Sequence, residues 1–215
     1  MRSWIVAGGA YRTLWPSERD DYADHLKRLS PACRRLRFHR AVSNDGLDAH
    51  AERVFAKSLH VIGWFYRGVL RGAVEVAVFD GPDGTEAEAA FAVEARNRGR
   101  GVGAELMHRA ALYARNRGAE TLHIATERDN IPMIRLAVSS GAQFRIHATE
   151  ADGVLHQDAR SVFSLLLETA EEEVGVLHWA WDRAMRWARR KWRFFSRRKA
   201  RQAAQSGSGR LGTQT

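Results

Sequence analysis

Hydrophobic and polar positions along the chain change period several times, and each change marks an element. After Ser17, a candidate N-cap, acids occupy the first turn of Glu18 to Leu29, and Tyr22, Leu26 and Leu29 recur at helical spacing. Ser30-Pro31 interrupts that helix; a second is expected within Pro31 to Phe38, and a third over Leu47 to Lys57 after the turn residues Asn44-Asp45-Gly46. From His60 the pattern becomes β: HVIGWFY, a short turn at Arg67-Gly68, then VLRGAVEVAVF, two antiparallel strands. The cluster Asp80-Gly81-Pro82-Asp83-Gly84 is a turn, and EAEAAFAVE a third strand. Glycine-rich RNRGRGVG then opens the helix AELMHRAALYARNRG, closed by Gly118. ETLHIAT is a strand and Asn130 to Ser140 a helix ended by Gly141; AQFRIHAT and HQDARSVFSLLL form a closing pair of strands around Asp152-Gly153. Hairpins beside one βαβ-like crossover imply an α/β (α+β) fold with a mixed, mostly antiparallel central sheet flanked by helices.

The last periodic stretch differs. Val174, Leu177, Trp181, Ala184, Met185, Ala188, Trp192 and Phe195 follow three-and-four spacing, opposite a row of arginines that includes Arg183, Arg186, Arg190, Arg193, Arg197 and Arg201. The spacing predicts an appended amphipathic helix. The organisation expected is a globular domain over 1–167, a basic helical extension over 168–201 and a disordered tail over 202–215, polar and rich in Gly and Ser.

Charge gains its meaning from position. The 215-residue chain carries 34 Lys+Arg against 25 Asp+Glu, a formal net charge of +9. Residues 178–201 hold ten of the basic residues and one acid, Asp182, which accounts for the whole excess; the rest is neutral. The basic stretch admits packing of its apolar stripe on this domain or on a second copy, or an anionic membrane surface; nucleic acid ranks third, for lack of a binding motif. A single cysteine, Cys33, excludes an internal disulfide and has no His-Asp/Asn frame to activate it, and no HExxH or CxxC-type spacing suggests a metal. With no run of about 18 apolar residues and no secretory signal, a cytoplasmic location is expected, peripheral to a membrane if the basic helix lies on one.

The chemistry concentrates at the strand–glycine–helix junction. A helix start offers unpaired N–H groups and the positive end of the macrodipole; Gly99, Gly101 and Gly103 allow an anion close to the backbone, and Arg98 and Arg100 add charge. The order G-R-G-V-G fits neither the P-loop nor the dinucleotide fingerprint.

Arg98-Gly99-Arg100-Gly101-Val102-Gly103 matches the Q/R-x-x-G-x-G/A pyrophosphate loop of the GNAT superfamily of acyl-CoA-dependent N-acetyltransferases, and the chain resembles that family from roughly Ala10 to Leu167. AEAAFAV resembles the family's fourth strand and Asn130 to Gly141 its N-x(10)-G fourth helix; SP-x-x-RRLRF at Ser30 to Phe38 is similar to the bacterial branch that includes protein lysine acetyltransferases. The resemblance implies acetyl-CoA as co-substrate, no metal, and a primary amine as acceptor, either a protein lysine or a small molecule. It implies cofactor contacts at Ala92, Val93, Arg98, Gly99, Arg100, Gly101, Val102, Gly103, Ala104 and Asn130, and Glu88 as general base, with Glu86 in reserve. A lysine amine with a pKa of about 10.4 must shed a proton before attack, and a carboxylate on a buried strand is expected to have a raised pKa suited to the task. The family's usual tyrosine acid falls at Ala137, which cannot donate a proton; Ser139 and Ser140 lie nearby without motif support. That departure leaves a second reading, a non-catalytic acyl-CoA-sensing module whose basic helix binds a membrane or partner.

Overall fold

The computed structural model describes residues 8–82, 84–157, 161, 164–177 and 180. Its elements run β1 (Ala10–Thr13), α1 (Arg19–Lys27), α2 (Pro31–Phe38), α3 (Asn44–Ala56), β2 (His60–Tyr66), β3 (Val69–Gly81), β4 (Gly84–Val93), α4 (Val102–Asn116), β5 (Thr121–Glu127), α5 (Ile131–Ser139), β6 (Gln143–Ile146) and β7 (Glu150–His156). A further helix, α6, covers 164–177. The seven strands form one sheet in the order β1-β2-β3-β4-β5-β7-β6, antiparallel everywhere except at β4–β5, where α4 makes the crossover. The fold class read from the pattern is the one observed.

Two cores follow from strand alternation. On one face Trp64, Val74, Val76, Ala87 and Ala89 pack against Leu106, Met107 and Ala110 of α4. On the other, Val61, Phe65, Ala73 and Ala92 meet Tyr22 and Leu26 of α1 and Leu47, Ala51 and Val54 of α3. The hairpin turn at Arg67-Gly68 has positive φ at both residues (50° and 70°), the primed turn whose twist suits adjoining strands.

Several boundaries differ from the sequence reading. β1 had no pattern of its own; four residues suffice because it pairs along β2 with Tyr11 and Arg12 buried. Ser17 sits in a short 3-10 turn, Pro16–Glu18, and α1 starts from Glu18. Asn44-Asp45-Gly46 is the first turn of α3 because the Ser43 hydroxyl accepts from Gly46 N–H. Asp152-Gly153 is inside β7, not at a turn: Phe144 of β6 lies over Gly153, where a Cβ would come within 2.6 Å of the ring. The hairpin instead reverses between Ile146 and Glu150. Leu165 to Leu167 belong to α6 rather than to a strand, since Ser161 and Ser164 exchange side-chain-to-backbone hydrogen bonds at 3.1 Å as a cap. Of the basic extension expected over 168–201, residues up to 177 are helical as described; 181–201 and the tail 202–215 lie outside the described residues.

Buried charge sets the acid stability. His60 stacks on Tyr113 at 3.7 Å, with Arg117 over the same tyrosine, and burial first, then Arg117, holds its pKa down to about 3. Glu75 and Glu94 are buried too; burial alone would raise both, but Arg37 and His50 around the first, and His25, Arg28 and Arg71 around the second, bring each down to about 2. In all three cases the unfolded chain binds protons more tightly, so stability is complete above the unfolded pKa and falls with pH. The histidine contribution disappears from 6.5 toward 3, and that of the glutamates from 4.5 toward 2. Thermal unfolding midpoints should therefore decline from pH 7 downward. His60→Phe, which retains the stack, should flatten the segment between about pH 6.5 and 4.5; superimposable wild-type and variant profiles there would contradict a neutral buried His60.

Candidate active site

Strands β4 and β5 stay together for three residue pairs, Glu86–Thr121, Ala87–Leu122 and Glu88–His123, and then separate. Beyond that point β4 pairs only with β3 as far as Val93, and β5 only with β7 as far as Glu127. The wedge between them holds two cavities that share Phe91, Asn130 and Met133. One, of about 440 Å³, is walled by Glu88, Ile124 and Thr126 with the end of α2; the other, of about 340 Å³, by Val93, the glycine-rich loop and Leu136.

Backbone direction gives the wedge its polarity. Glu94 N–H bonds Arg71 C=O on the β3 side, and main-chain groups point alternately to the two sides of a strand, so Phe91 and Val93 turn theirs toward the gap. Val93 C=O there accepts from Arg98 Nε at 3.0 Å. Ala92 is one residue out of phase, and its carbonyl lies 3.2 Å from His25 Nε2. The loop itself turns through Gly99 and Gly101 at φ 70° and 82°, left-handed values that side chains with a Cβ resist. Gly101 caps α4, whose first amides have no partner within the helix; Gly103 and Ala104 line the second cavity, whereas Val102 is buried in the core. Arg100 lies over Tyr66, and Arg98 also reaches Cys33 Sγ at 3.1 Å.

The other cavity is framed by α2, which a buried carboxylate secures. Glu75 receives a hydrogen bond from Tyr22 of α1, and lies 2.7 Å from His50 Nε2 of α3 and 2.8 Å from Arg37 of α2. Arg37 thus lines the cavity with its charge already compensated; His39, also in the lining, lies 3.7 Å from Glu150. Glu88 and Glu150 bring carboxylates to the same space. Glu94 plays the matching part at the loop end of β4: fully enclosed, it lies 2.9 Å from Arg28 and 3.0 Å from Arg71.

The fold is shared. The model of the acetyltransferase (GNAT) family matches residues 12–141, more than half of the chain. The chain belongs to the GNAT acetyltransferase family. Among solved structures, the GNAT domain of S. lividans PAT is similar at a TM-score of 0.59 with 19% identity, covering 69% of this chain and 90% of that one. The structure of yncA from Salmonella typhimurium with its cofactor acetyl-CoA matches at 0.53 and 19%, over 72% and 96%. A GNAT phosphinothricin acetyltransferase from Sinorhizobium meliloti, in complex with acetyl-CoA, matches at 0.52 and 10%, over 69% and 88%. A search of curated proteins finds no significant sequence match. As a GNAT member the chain is an acyl-CoA-dependent N-acetyltransferase with acetyl-CoA as co-substrate.

The GNAT wedge brings together Glu88, Val93, Arg98, Gly99, Gly101, Gly103, Ala104 and Asn130. It does not include Glu86, which is paired with His123 at 2.9 Å. One expectation about Glu88 fails: its side chain is exposed, not buried, at the last pair that β4 makes with β5. Ala137 is fully buried in the core and presents nothing to the wedge; Ser139 and Ser140 donate to Leu136 C=O instead. Thr126 was missed in sequence. It is buried, lines the cavity beside Asn130, and accepts from Asn130 Nδ2 at 2.9 Å, leaving its own proton to donate. Its only sequence signal was a polar residue on the apolar phase of ETLHIAT. Among the described residues no group of three or more His, Cys, Asp or Glu could hold a metal ion.

Replacing Gly101 by Val should cost about 1–2 kcal/mol of stability through the left-handed backbone and weaken acetyl-CoA binding by about tenfold or more, read by isothermal titration. Gly118→Val supplies the control: φ there is 86°, with nothing within 4 Å of the added Cβ. Equal loss of affinity in both variants would show that strain, rather than the loop, governs binding.

Proposed function

We propose that the protein transfers the acetyl group of acetyl-CoA to a primary amine by direct attack, within the wedge between β4 and β5. The observation that carries this reading is the placement of Glu88 at the point of separation, inside a cavity continuous with the glycine-rich loop. The pyrophosphate is held by the unpaired amides at the start of α4 and by Arg98 and Arg100, and the pantetheine arm pairs with the open edge at Phe91 and Val93 as an added strand would. The phase of the strand supports Phe91 and Val93 over Ala92 for that contact.

The acceptor enters from the α2 side as an ammonium ion, drawn by Glu88 and Glu150. Glu88, through water, accepts the proton; the nitrogen lone pair forms the bond to the thioester carbon, and a strand amide at the open edge hydrogen-bonds the carbonyl oxygen as it gains charge. The carbon–sulfur bond then breaks, the nitrogen gives its second proton to solvent, and the thiolate takes one from solvent. Thr126 hydrogen-bonds that sulfur, a supporting role for the buried hydroxyl nearest Asn130 where the family's tyrosine is missing. The cavity volume of about 440 Å³ suits a small amine or a single lysine side chain.

Turnover should be assayed with acetyl-CoA and a panel of primary amines: a lysine peptide, a polyamine and an amino sugar. With whichever is acetylated, Glu88→Gln should lower kcat by about 10²–10⁴-fold with acetyl-CoA affinity retained. Unchanged kcat would remove Glu88 as the base, and failure of every amine would remove the amine-acceptor reading.

A further inference from the structure

The acceptor cavity is lined by one cation and one anion that do not meet. Basic residues crowd the end of α2, in the run Arg34-Arg35-Leu36-Arg37-Phe38-His39-Arg40, and all but the last have a partner in the fold. Arg34 donates to Asn44 Oδ1 at 2.9 Å and to the carbonyls of Lys27 and Leu29. Arg35 lies 3.7 Å from Glu127, Arg37 2.8 Å from Glu75, and His39 3.7 Å from Glu150. The left-handed backbone at His39, φ 55°, ends the helix and turns the chain, and Arg40 lines the cavity with no ion-pair or hydrogen-bond partner among the described residues. In the same lining the Glu88 carboxylate has none either. Opposite charges that can approach each other in a partly enclosed space attract more strongly than in bulk water. Here Glu88 is fixed on β4 at the last pair with β5, and Arg40 follows the cap of α2, so different elements carry the two and no ion pair forms. Each charge is left for a ligand.

We infer that the acceptor is a small amine that itself carries an acid group, its ammonium facing Glu88 and its carboxylate, or an equivalent oxyanion, facing Arg40. This rests on the proposed amine acetylation and names the class of amine. Arg40 is the specificity-determining residue of that cavity. A guanidinium suits the part, because its planar fork of N–H donors matches the two oxygens of a carboxylate. The same charge selects against other acceptors. A polyamine or a multiply charged amino sugar would bring further ammonium groups toward Arg40, and a lysine side chain with no acid beside it would leave the arginine without a partner. A cavity of about 440 Å³ admits an acceptor of amino-acid size. Both Arg40 and Glu88 are exposed, so water screens each contact and the acid group confers a preference rather than an absolute requirement.

The test compares amino acids with their carboxamides, which keep the amine and lose the negative charge. Glycine, β-alanine, γ-aminobutyrate, leucine and glutamate, each with its carboxamide, are offered to the full chain with acetyl-CoA, and release of CoA is followed. For the best of these acceptors, kcat/KM should exceed that of its carboxamide by about fivefold or more, with most of the difference in KM. Arg40→Gln should remove most of that ratio, and Arg40→Lys, which keeps the charge, should restore part of it. Isothermal titration of each variant with acetyl-CoA confirms folding and separates the acceptor site from the cofactor site. Carboxamides as good as the acids in every pair, or a ratio that Arg40→Gln leaves unchanged, overturns the inference. So does a loss confined to acetyl-CoA affinity, which would assign Arg40 to the cofactor. Acetylation of a polyamine or a lysine peptide, but of none of the amino acids, overturns it and leaves the amine-acceptor reading standing; acetylation of no amine of either kind overturns both.

Discussion

Everything at the active site depends on two neighbouring parallel strands being prevented from pairing along their full length. A backbone edge in a protein interior cannot be left bare, because each unsatisfied amide or carbonyl costs about 1–3 kcal/mol. The separation of β4 from β5 after Glu88–His123 therefore has to be enforced from outside and its edge supplied with partners. Enforcement is visible on both sides. Glu94, between Arg28 and Arg71, fastens the end of β4 to β3 and α1, while seven consecutive pairs with β7 hold β5. With each strand committed to its far neighbour, Val93 turns its carbonyl to Arg98, and the gap is left lined by backbone that a ligand can complete.

The two buried carboxylates of this face divide the labour. Glu94 sets the geometry of the loop end; Glu75, with Tyr22, His50 and Arg37 converging on it, sets that of the acceptor end, because it binds α1, α2 and α3 to one point on β3. Removing one partner from a buried ion pair costs about 3–5 kcal/mol, more than replacing the pair as a whole. Such a node serves less as a source of stability than as a register mark that fixes α2 over the cavity. It also explains how Arg37 can line the cavity without adding an uncompensated charge beside Glu88, Glu150 and Arg40.

Elements with a strong local signature were legible in the sequence, and so was the loop. Alternation found β2, β3 and β4, and the glycines of Arg98 to Gly103 marked the loop before any cavity was seen. What could not be read was set by tertiary contact. β1 is a strand only because β2 offers an edge; Gly153 looks like a turn residue but is the place where Phe144 needs room. Asn44-Asp45-Gly46 reads as a loop until Ser43 is recognised as a cap. Glu88 was correctly placed on the strand, but its burial was inferred from the strand as a whole. Exposure there depends on what the other elements leave uncovered on that face, which β4 alone does not state. Glu75 and Thr126 were passed over for a similar reason: a lone polar residue in a strand has no meaning until its partners arrive from other elements.

Alanine at position 137 bears on the leaving group. A tyrosine there would have to emerge from the core side of α5, yet Ala137 is fully enclosed and its carbonyl accepts from Ser140 and Ala142, so the helix end is packed around a small side chain. The loss of the hydroxyl is thus built into the packing and would not be restored by substitution alone. In its place the wedge has Thr126 bound to Asn130, one strand away. Threonine is too weak an acid to deliver a full proton at neutral pH, but a thiolate with a pKa near 8.5 needs stabilisation more than immediate protonation. In the proposed mechanism a fixed hydrogen bond from Thr126 would supply that stabilisation at little reorganisation cost. The chemistry of the family is therefore compatible with this chain's departure from its pattern, provided that proton removal at Glu88 rather than thiolate departure carries the larger barrier.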